Sequence, residues 1–251
     1  MESRKDNIKD KVVAIDGPSG SGKSTVAKLV AKKMNFMHID TGAMFRAIAY
    51  YLNSKGLFLV DDNILSSASE LEDKEKDIKC RSALLDTNTF RLEYQYQNGQ
   101  LFIGVNGEDV SLKIREHYIS DLSSKVSRLS YVRSFLLNFQ RELVKNVSSG
   151  AVMEGRDIGT VVFPNAFCKI FLTASLEVRT ARRLQDLKKV AAVAAKTITF
   201  EELYNDVKKR DEEDSKRAIA PLKRADDAIL IDSSEMSLEQ VVDAIVAQAA
   251  R

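Results

Sequence analysis

The apolar positions of this chain follow two rhythms. Short, almost wholly apolar runs at Val12–Ile15, Phe36–Ile39, Ala151–Met153, Cys168–Ala174 and Ala228–Ile231 have the length and β-branched content of strands buried on both faces. Between them lie longer stretches in which apolar residues recur every three or four positions: 26–33, 43–52, 118–128, 130–146, 176–189, 200–217 and 237–251. That spacing is the mark of amphipathic helices. Strand and helix alternate, which predicts an α/β fold built on a doubly wound parallel sheet, with ligands at the carboxyl ends of its strands.

The alternation breaks between about 61 and 115. Asp61–Lys79 is strongly charged with helical spacing through Ile64, Leu65, Ala68 and Leu71. Two segments of alternating apolar and polar residues follow, Phe90–Tyr96 and Leu101–Val105, on either side of Asn98-Gly99. Asn-Gly supplies the positive φ angles of a two-residue hairpin turn, and Asn106-Gly107 offers a second one. The expectation is an α/β core at 11–60 and 116–251 with an inserted antiparallel subdomain at 61–115.

The first strand runs directly into Asp16-Gly17-Pro18-Ser19-Gly20-Ser21-Gly22-Lys23-Ser24-Thr25. Gly17 to Ser24 fits G-x-x-x-x-G-K-[ST], and a helix pattern follows at once. Glycines let successive N–H groups converge on one anion, and the helix adds its positive end. Lys23 is placed to neutralise the β- and γ-phosphates of a nucleoside triphosphate, and the Ser24 hydroxyl to ligate Mg2+.

Composition narrows the rest. The chain has 251 residues, 44% hydrophobic, enough apolar surface for one large domain with an insert. Its 38 basic and 36 acidic residues leave a net charge of +2, too balanced for a general nucleic-acid binder, so no nucleic-acid partner is expected. Cys80 and Cys168 form no metal or disulfide framework and read as buried, reduced side chains. The charged opening residues 1–10 read as a frayed leader without a signal peptide, and no run approaches a membrane span. A soluble, cytoplasmic monomer with no membrane partner is expected.

Phosphoryl transfer needs further cations around a polyanion. Asp40-Thr41-Gly42 with Arg46 places a hydroxyl and an arginine just after a strand end, with Thr41 as the helix cap. Glu154-Gly155-Arg156-Asp157 lies at the end of another buried strand, where a loop salt bridge is the plainer alternative. Ser124 and Arg133 sit near the ends of helical segments and read equally well as surface. Arg210, Asp214 and Arg217 fall at i, i+4 and i+7 on one helix face. With Arg179, Arg182 and Arg183 on the preceding helix they read either as solvated ion pairs or as a helical lid at about 182–216 that closes over phosphates.

Taken together, Asp16–Thr25, Asp40-Thr41-Gly42-Ala43-Met44-Phe45-Arg46, Gly155-Arg156-Asp157-Ile158-Gly159-Thr160-Val161-Val162-Phe163-Pro164, and Arg210-Asp211 through Arg217-Ala218-Ile219-Ala220-Pro221-Leu222 resemble the bacterial cytidylate (CMP/dCMP) kinases. The likeness spans essentially the whole chain, and the last two stretches are its most specific part. It implies transfer of the γ-phosphate of MgATP to CMP or dCMP. In that reading Gly17, Pro18, Ser19, Gly20, Ser21, Gly22, Lys23, Ser24 and Thr25 hold the ATP phosphates, with Arg182 and Arg183 in the lid. Arg46 and Arg156 clamp the acceptor phosphate. Thr41, Arg133, Asp157 and Arg217 surround the cytosine, and Ser124, Arg210 and Asp214 meet the sugar. Lys23, Arg156 and Asp157 are the catalytic group.

The chain departs from the pattern at Phe45, often tyrosine, at Glu154, more usually aspartate, and at Glu213 and Ser215, arginines in some members. Two other classes compete with the resemblance. In a phosphate-loop kinase of hydroxyl acceptors, Asp157 would act as general base. In a catalytically silent nucleotide-binding module, the arginines would dock RNA or a protein partner.

Overall fold

In a computed structural model, residues 12–57, 70–86, 88–97, 100–190 and 198–250 are described. The leader 1–10, the first part of the charged stretch after Asp61, the Asn98-Gly99 turn and residues 191–197 of the lid connection lie outside them. By contact the chain divides into two units: Met1–Asp40 with Gln140–Arg251, and Thr41–Phe139.

The first unit holds a five-stranded parallel sheet. Its strands are β1 (Val12–Asp16), β2 (Met37–Asp40), β6 (Ala151–Gly155), β7 (Cys168–Thr173) and β8 (Ile229–Asp232), ordered β2-β6-β1-β7-β8. The central strand β1 is buried along its whole length, as its unbroken apolar run requires. On one face α1 (Lys23–Met34) and α8 (Leu238–Ala249) close a core of Val13, Ile15, Val26, Val30, Val152, Ile170, Leu172 and Ile245. α6 (Leu176–Val190) and α7 (Phe200–Lys216) pack on each other. The helix starts follow local chemistry: Ser237 and Thr199 each accept from the backbone N–H three residues on, and Gln240 and Glu202 reach back in return.

Register is what builds the site. Asp16 lies opposite Gly155 and Phe171, and Asp40 opposite Glu154. Three neighbouring strands thus end together, and each ends in a carboxylate or opens into a turn.

The second unit is built on α2 (Thr41–Ser54), which packs on α4 (His117–Val126) and on β4 (Gln100–Val105). β3 (Leu92–Gln97) pairs antiparallel with β4, with Gln97 opposite Gln100 as the hairpin reading requires. β5 (Glu108–Asp109) completes the small sheet beyond the turn at Asn106 and Gly107, both at positive φ. α3 (Glu70–Leu85) precedes the hairpin, and α5 (Ser130–Lys145) begins in this unit and ends in the other. Tyr51, Phe90 and Phe135 form an aromatic chain with centroids 4.7 and 5.5 Å apart. The unit is wider than the 61–115 insert read from the sequence, because α2 packs both on the hairpin strand β4 and on α4.

Ile170 is fully buried at the middle of β7, opposite Ile15. Ile170→Ala is expected to destabilise the chain by about 2–5 kcal/mol, read as a lower urea midpoint with an unchanged slope. A loss under about 1 kcal/mol would contradict its place in the core.

Candidate functional site

The phosphate loop is held from beneath and from both sides. A Cβ on Gly17 would lie 2.0 Å from the Leu172 carbonyl oxygen, so the loop leaves β1 closer to β7 than any side chain permits. Gly20 has φ +75°, and a Cβ there would meet the Arg179 carbonyl at 2.6 Å. Arg179 straps the loop further. Its guanidinium donates to the Ser19 carbonyl at 3.0 Å and to the Ala174 carbonyl at 2.9 Å, and it pairs with Asp211. Asp211 in turn accepts from the Ser19 N–H at 3.2 Å, so a carboxylate already engages one amide of the anion cradle.

Lys23 opens α1 and is buried. Its ammonium donates to the Pro18 carbonyl at 2.7 Å and to Ser21 Oγ at 3.3 Å. Burial, aided by the nearby Arg156 charge, lowers its pKa well below the usual lysine value, against the pull of Glu154, Asp16 and Asp211. A polyphosphate brought to this loop supplies the negative charge that restores the cation. Ser24 Oγ, on the exposed side of α1, donates to Glu154 Oε2 at 2.7 Å. The other oxygen of Glu154 lies 2.9 Å from His38 Nε2, with both side chains buried.

Asp16 ties β1 to the Gly-Arg-Asp segment. Its two oxygens accept from the Ile158 and Gly159 N–H groups at 2.8 and 2.7 Å. Those donors open a wide helical turn, Ile158–Val162, in which Val162 N–H reaches back five residues to the Asp157 carbonyl. Turns of this type are frequent at functional sites. Arg141 closes the far end by donating to the carbonyls of Val161 and Val162.

Arg156, Asp157, Asp214 and Arg217 come together within the first unit. Arg156 Nε donates to Asp214 Oδ2 at 3.1 Å, and Arg217 reaches Asp214 at 3.4 Å and Asp157 at 3.8 Å. Burial alone would raise the Asp214 pKa, but the charges of Arg156, Arg210 and Arg217 outweigh it and hold the carboxyl below its ordinary value. The shared helix face read for Arg210, Asp214 and Arg217 needs one correction. α7 stops at Lys216, and Arg217 is its extended C-cap. The segment then folds back: Arg217 Nε donates to the Ala220 carbonyl at 2.5 Å, and Leu222 N–H to the Asp214 carbonyl at 2.8 Å. Ala220 takes a left-handed φ of 50° to allow this. The Arg-Ala-Ile-Ala-Pro-Leu stretch is therefore a turn that presents Arg217 to two carboxylates.

Arg182 donates to Ser233 Oγ and carbonyl at 2.9 and 2.8 Å and to the Ser21 carbonyl at 3.4 Å, anchored at the end of β8. Arg183 follows it on α6, half-buried.

In the second unit Thr41 begins α2 itself instead of capping it, and Arg46 lies in the second turn, half-buried. Arg133 Nε donates to the Ser127 carbonyl at 2.6 Å, and its guanidinium sits 5.5 Å from the Phe45 ring centroid. Phe45 thus offers the ring face a cation needs, for which no tyrosine hydroxyl is required. The Ser124 carbonyl accepts from Ser127 Oγ at 2.8 Å in the same corner.

Sequence reasoning gave no part to Asp16, His38 or Asp211, and quoted Glu154 without a role. A signal existed for His38: Met37-His38-Ile39-Asp40 alternates, so His38 shares a face with Asp40. Asp211 sits in a charge run where no local rule singles it out.

Burial pushes the Asp16 pKa up to about 6, although the N–H groups of Gly159 and Ile158 pull it down. The folded value exceeds the ordinary 3.8, so the stability Asp16 contributes is complete below about pH 4 and is lost as pH rises through about 6. The advantage of the native chain over Asp16→Asn should shrink by up to about 3 kcal/mol between about pH 4 and pH 7 in urea unfolding. A gap that is constant with pH would place the Asp16 titration in the ordinary range.

The cytidylate kinase family model matches residues 13–251. A cytidylate kinase of Thermotoga maritima is 45% identical over 236 residues, covering 93% of this chain and 94% of its own. One from Thermodesulfovibrio yellowstonii is 42% identical over 240 residues, covering 96% and 98%. One from Geobacter sulfurreducens is 43% identical over 232 residues, covering 92% and 89%. With a strand–loop–helix phosphate cradle at its start and relatives matched along both chains, this chain belongs to the cytidylate kinase family.

Proposed function

We propose that this enzyme transfers the terminal phosphoryl group of ATP to CMP or dCMP, releasing ADP and CDP or dCDP. The observation that carries the reading is the joining, through Asp16, of a triphosphate loop to the arginine–carboxylate cluster after β6, in a chain of this family. Gly17 to Thr25 hold the donor phosphates, with Arg182 and Arg183 beside them. Lys23 trades the Pro18 carbonyl for the β- and γ-phosphate oxygens. Arg156, Nε-bonded to Asp214, keeps other N–H groups for the acceptor phosphate and the group in flight. No general base is required, because the attacking atom is already a phosphate oxyanion. Positioning and charge neutralisation carry the chemistry.

Asp157 and Arg217 suit the edge of cytosine, whose 4-amino group donates while N3 and O2 accept. Uracil would turn a carbonyl toward the Asp157 carboxylate, a mismatch of about 1–3 kcal/mol for each buried group left unsatisfied. Arg210 and Asp214 would meet the sugar in this reading. Thr41, Arg46, Ser124 and Arg133 are assigned to cytidine nucleotide binding by the family resemblance alone.

The residues present fit Mg2+ that arrives with ATP. No cluster of three or more His, Cys, Asp or Glu able to hold a metal occurs among the described residues, whereas Ser24 offers a hydroxyl oxygen whose hydrogen is already held by Glu154. Mg2+ is commonly held in this way, by few protein groups plus phosphates and water. When bound it draws charge from the transferred phosphoryl group.

Among the described residues no helix is long and apolar enough to cross a membrane. Cys80 and Cys168 are free and buried, in keeping with a reducing, cytoplasmic setting. A monomer carrying both nucleotides is the working form in this reading.

Two measurements test it. ADP release with a panel of nucleoside monophosphates should favour CMP or dCMP over UMP by about tenfold or more, with AMP and GMP poorer still. Equal rates across the panel would remove the substrate assignment. Arg156→Ala should lower kcat by about 100-fold or more while the fold survives, and an unchanged kcat would take Arg156 out of the mechanism.

A further inference from the structure

We propose that His38 is a positioning residue for the metal–nucleotide site, bracing Glu154 so that Glu154 in turn fixes the Ser24 hydroxyl. The inference rests on the MgATP reading above.

The geometry is a three-member chain. Ser24 Oγ donates to Glu154 Oε2 at 2.7 Å, and Glu154 Oε1 lies 2.9 Å from His38 Nε2. With the carboxylate ionised, the Nε2 nitrogen carries the proton that bridges them. Parallel register accounts for the meeting. His38 pairs with Val152 and Asp40 with Glu154, so residues 38 and 154 sit diagonally on one face of adjacent strands. Glu154 carries one methylene more than aspartate, a reach of roughly 1.5 Å. An aspartate at this position would fall short of either the imidazole or the hydroxyl unless the sheet moved.

That extra length brings a problem which His38 solves. A glutamate has more rotamers than an aspartate, and fixing them opposes binding. Lys23 already feels the Glu154 charge, so an unbraced carboxylate has a cation to turn toward. Paired with Lys23, it would cancel charge meant for phosphates and give up its hydrogen bond from Ser24. Held by His38, it accepts the hydroxyl's hydrogen bond and leaves the Ser24 lone pairs for a cation. Partners one step removed from a metal ligand commonly change metal affinity by about 10–100-fold.

The test is equilibrium binding of ATP by calorimetry, with Mg2+ and with EDTA. The readout is the ratio of the two dissociation constants, independent of turnover. His38→Asn, too short to reach Glu154, should reduce the tightening produced by Mg2+ about tenfold and leave binding in EDTA unchanged. His38→Gln, whose amide can reach, should keep the native ratio. Glu154→Asp should lose a similar factor, and adding His38→Asn to it should lose little more. If His38→Asn does not fold, His38→Met fills the space without a donor and carries the same comparison. A native ratio in His38→Asn, an equal loss with and without Mg2+, or a loss in His38→Gln as large as in His38→Asn would each overturn the proposal. A native enzyme whose ATP binding ignores Mg2+ would instead remove the MgATP reading itself, a result visible before any variant is made.

Discussion

The carboxylate of Asp16 ties together the two segments that leave the carboxyl ends of β1 and β6. It terminates the central strand, is almost wholly buried, and gives its oxygens to the two backbone N–H groups that open the turn after β6. A helical turn leaves its first N–H groups without internal partners, and inside a protein those groups must be satisfied. Asp16 answers that need from the neighbouring strand. In doing so it locks the start of the phosphate loop to the segment bearing Arg156 and Asp157. The arrangement strains Asp16 electrostatically, since burial favours its neutral form. The backbone donors are what make the position tolerable.

The same economy runs through the rest of the first unit. Cations of this unit are held by carbonyls or carboxylates that are part of the scaffold: Lys23 by Pro18, Arg179 by Ala174 and Asp211, Arg182 by Ser233, Arg156 and Arg217 by Asp214, and Lys169 by Pro164 and Asp227. Preorganisation of this kind lets a polyanion find its partners already oriented, so little reorganisation is left for the moment of reaction. Asp211 on the Ser19 amide shows how close the balance is, because one amide that the loop pattern assigns to phosphate already has an anionic partner.

Phe45 and Glu154, two departures from the family pattern, look less arbitrary in three dimensions. Phe45 lies under the Arg133 guanidinium, where a ring face suffices, and the two oxygens of Glu154 meet Ser24 and His38. Each is matched by a neighbour far away in sequence. A single chain read from end to end offers no way to pair them.

The sequence alone determined the alternation of strands and helices, the phosphate loop, the hairpin around residues 92–105 and the family. Those features are written in local periods, in glycine spacing and in turn chemistry, which act over a few residues. Only the tertiary structure decided which strand lies beside which, and hence that Asp16 would meet Ile158 and Glu154 would meet both Ser24 and His38. Those contacts span more than a hundred residues and depend on the order β2-β6-β1-β7-β8, which no local preference encodes. The end of α7 shows the same limit at short range. Helical spacing carried Arg217 onto the face of Arg210 and Asp214, but the chain turned at Ala220, because satisfying the last carbonyls of the helix outweighed one more residue of helix.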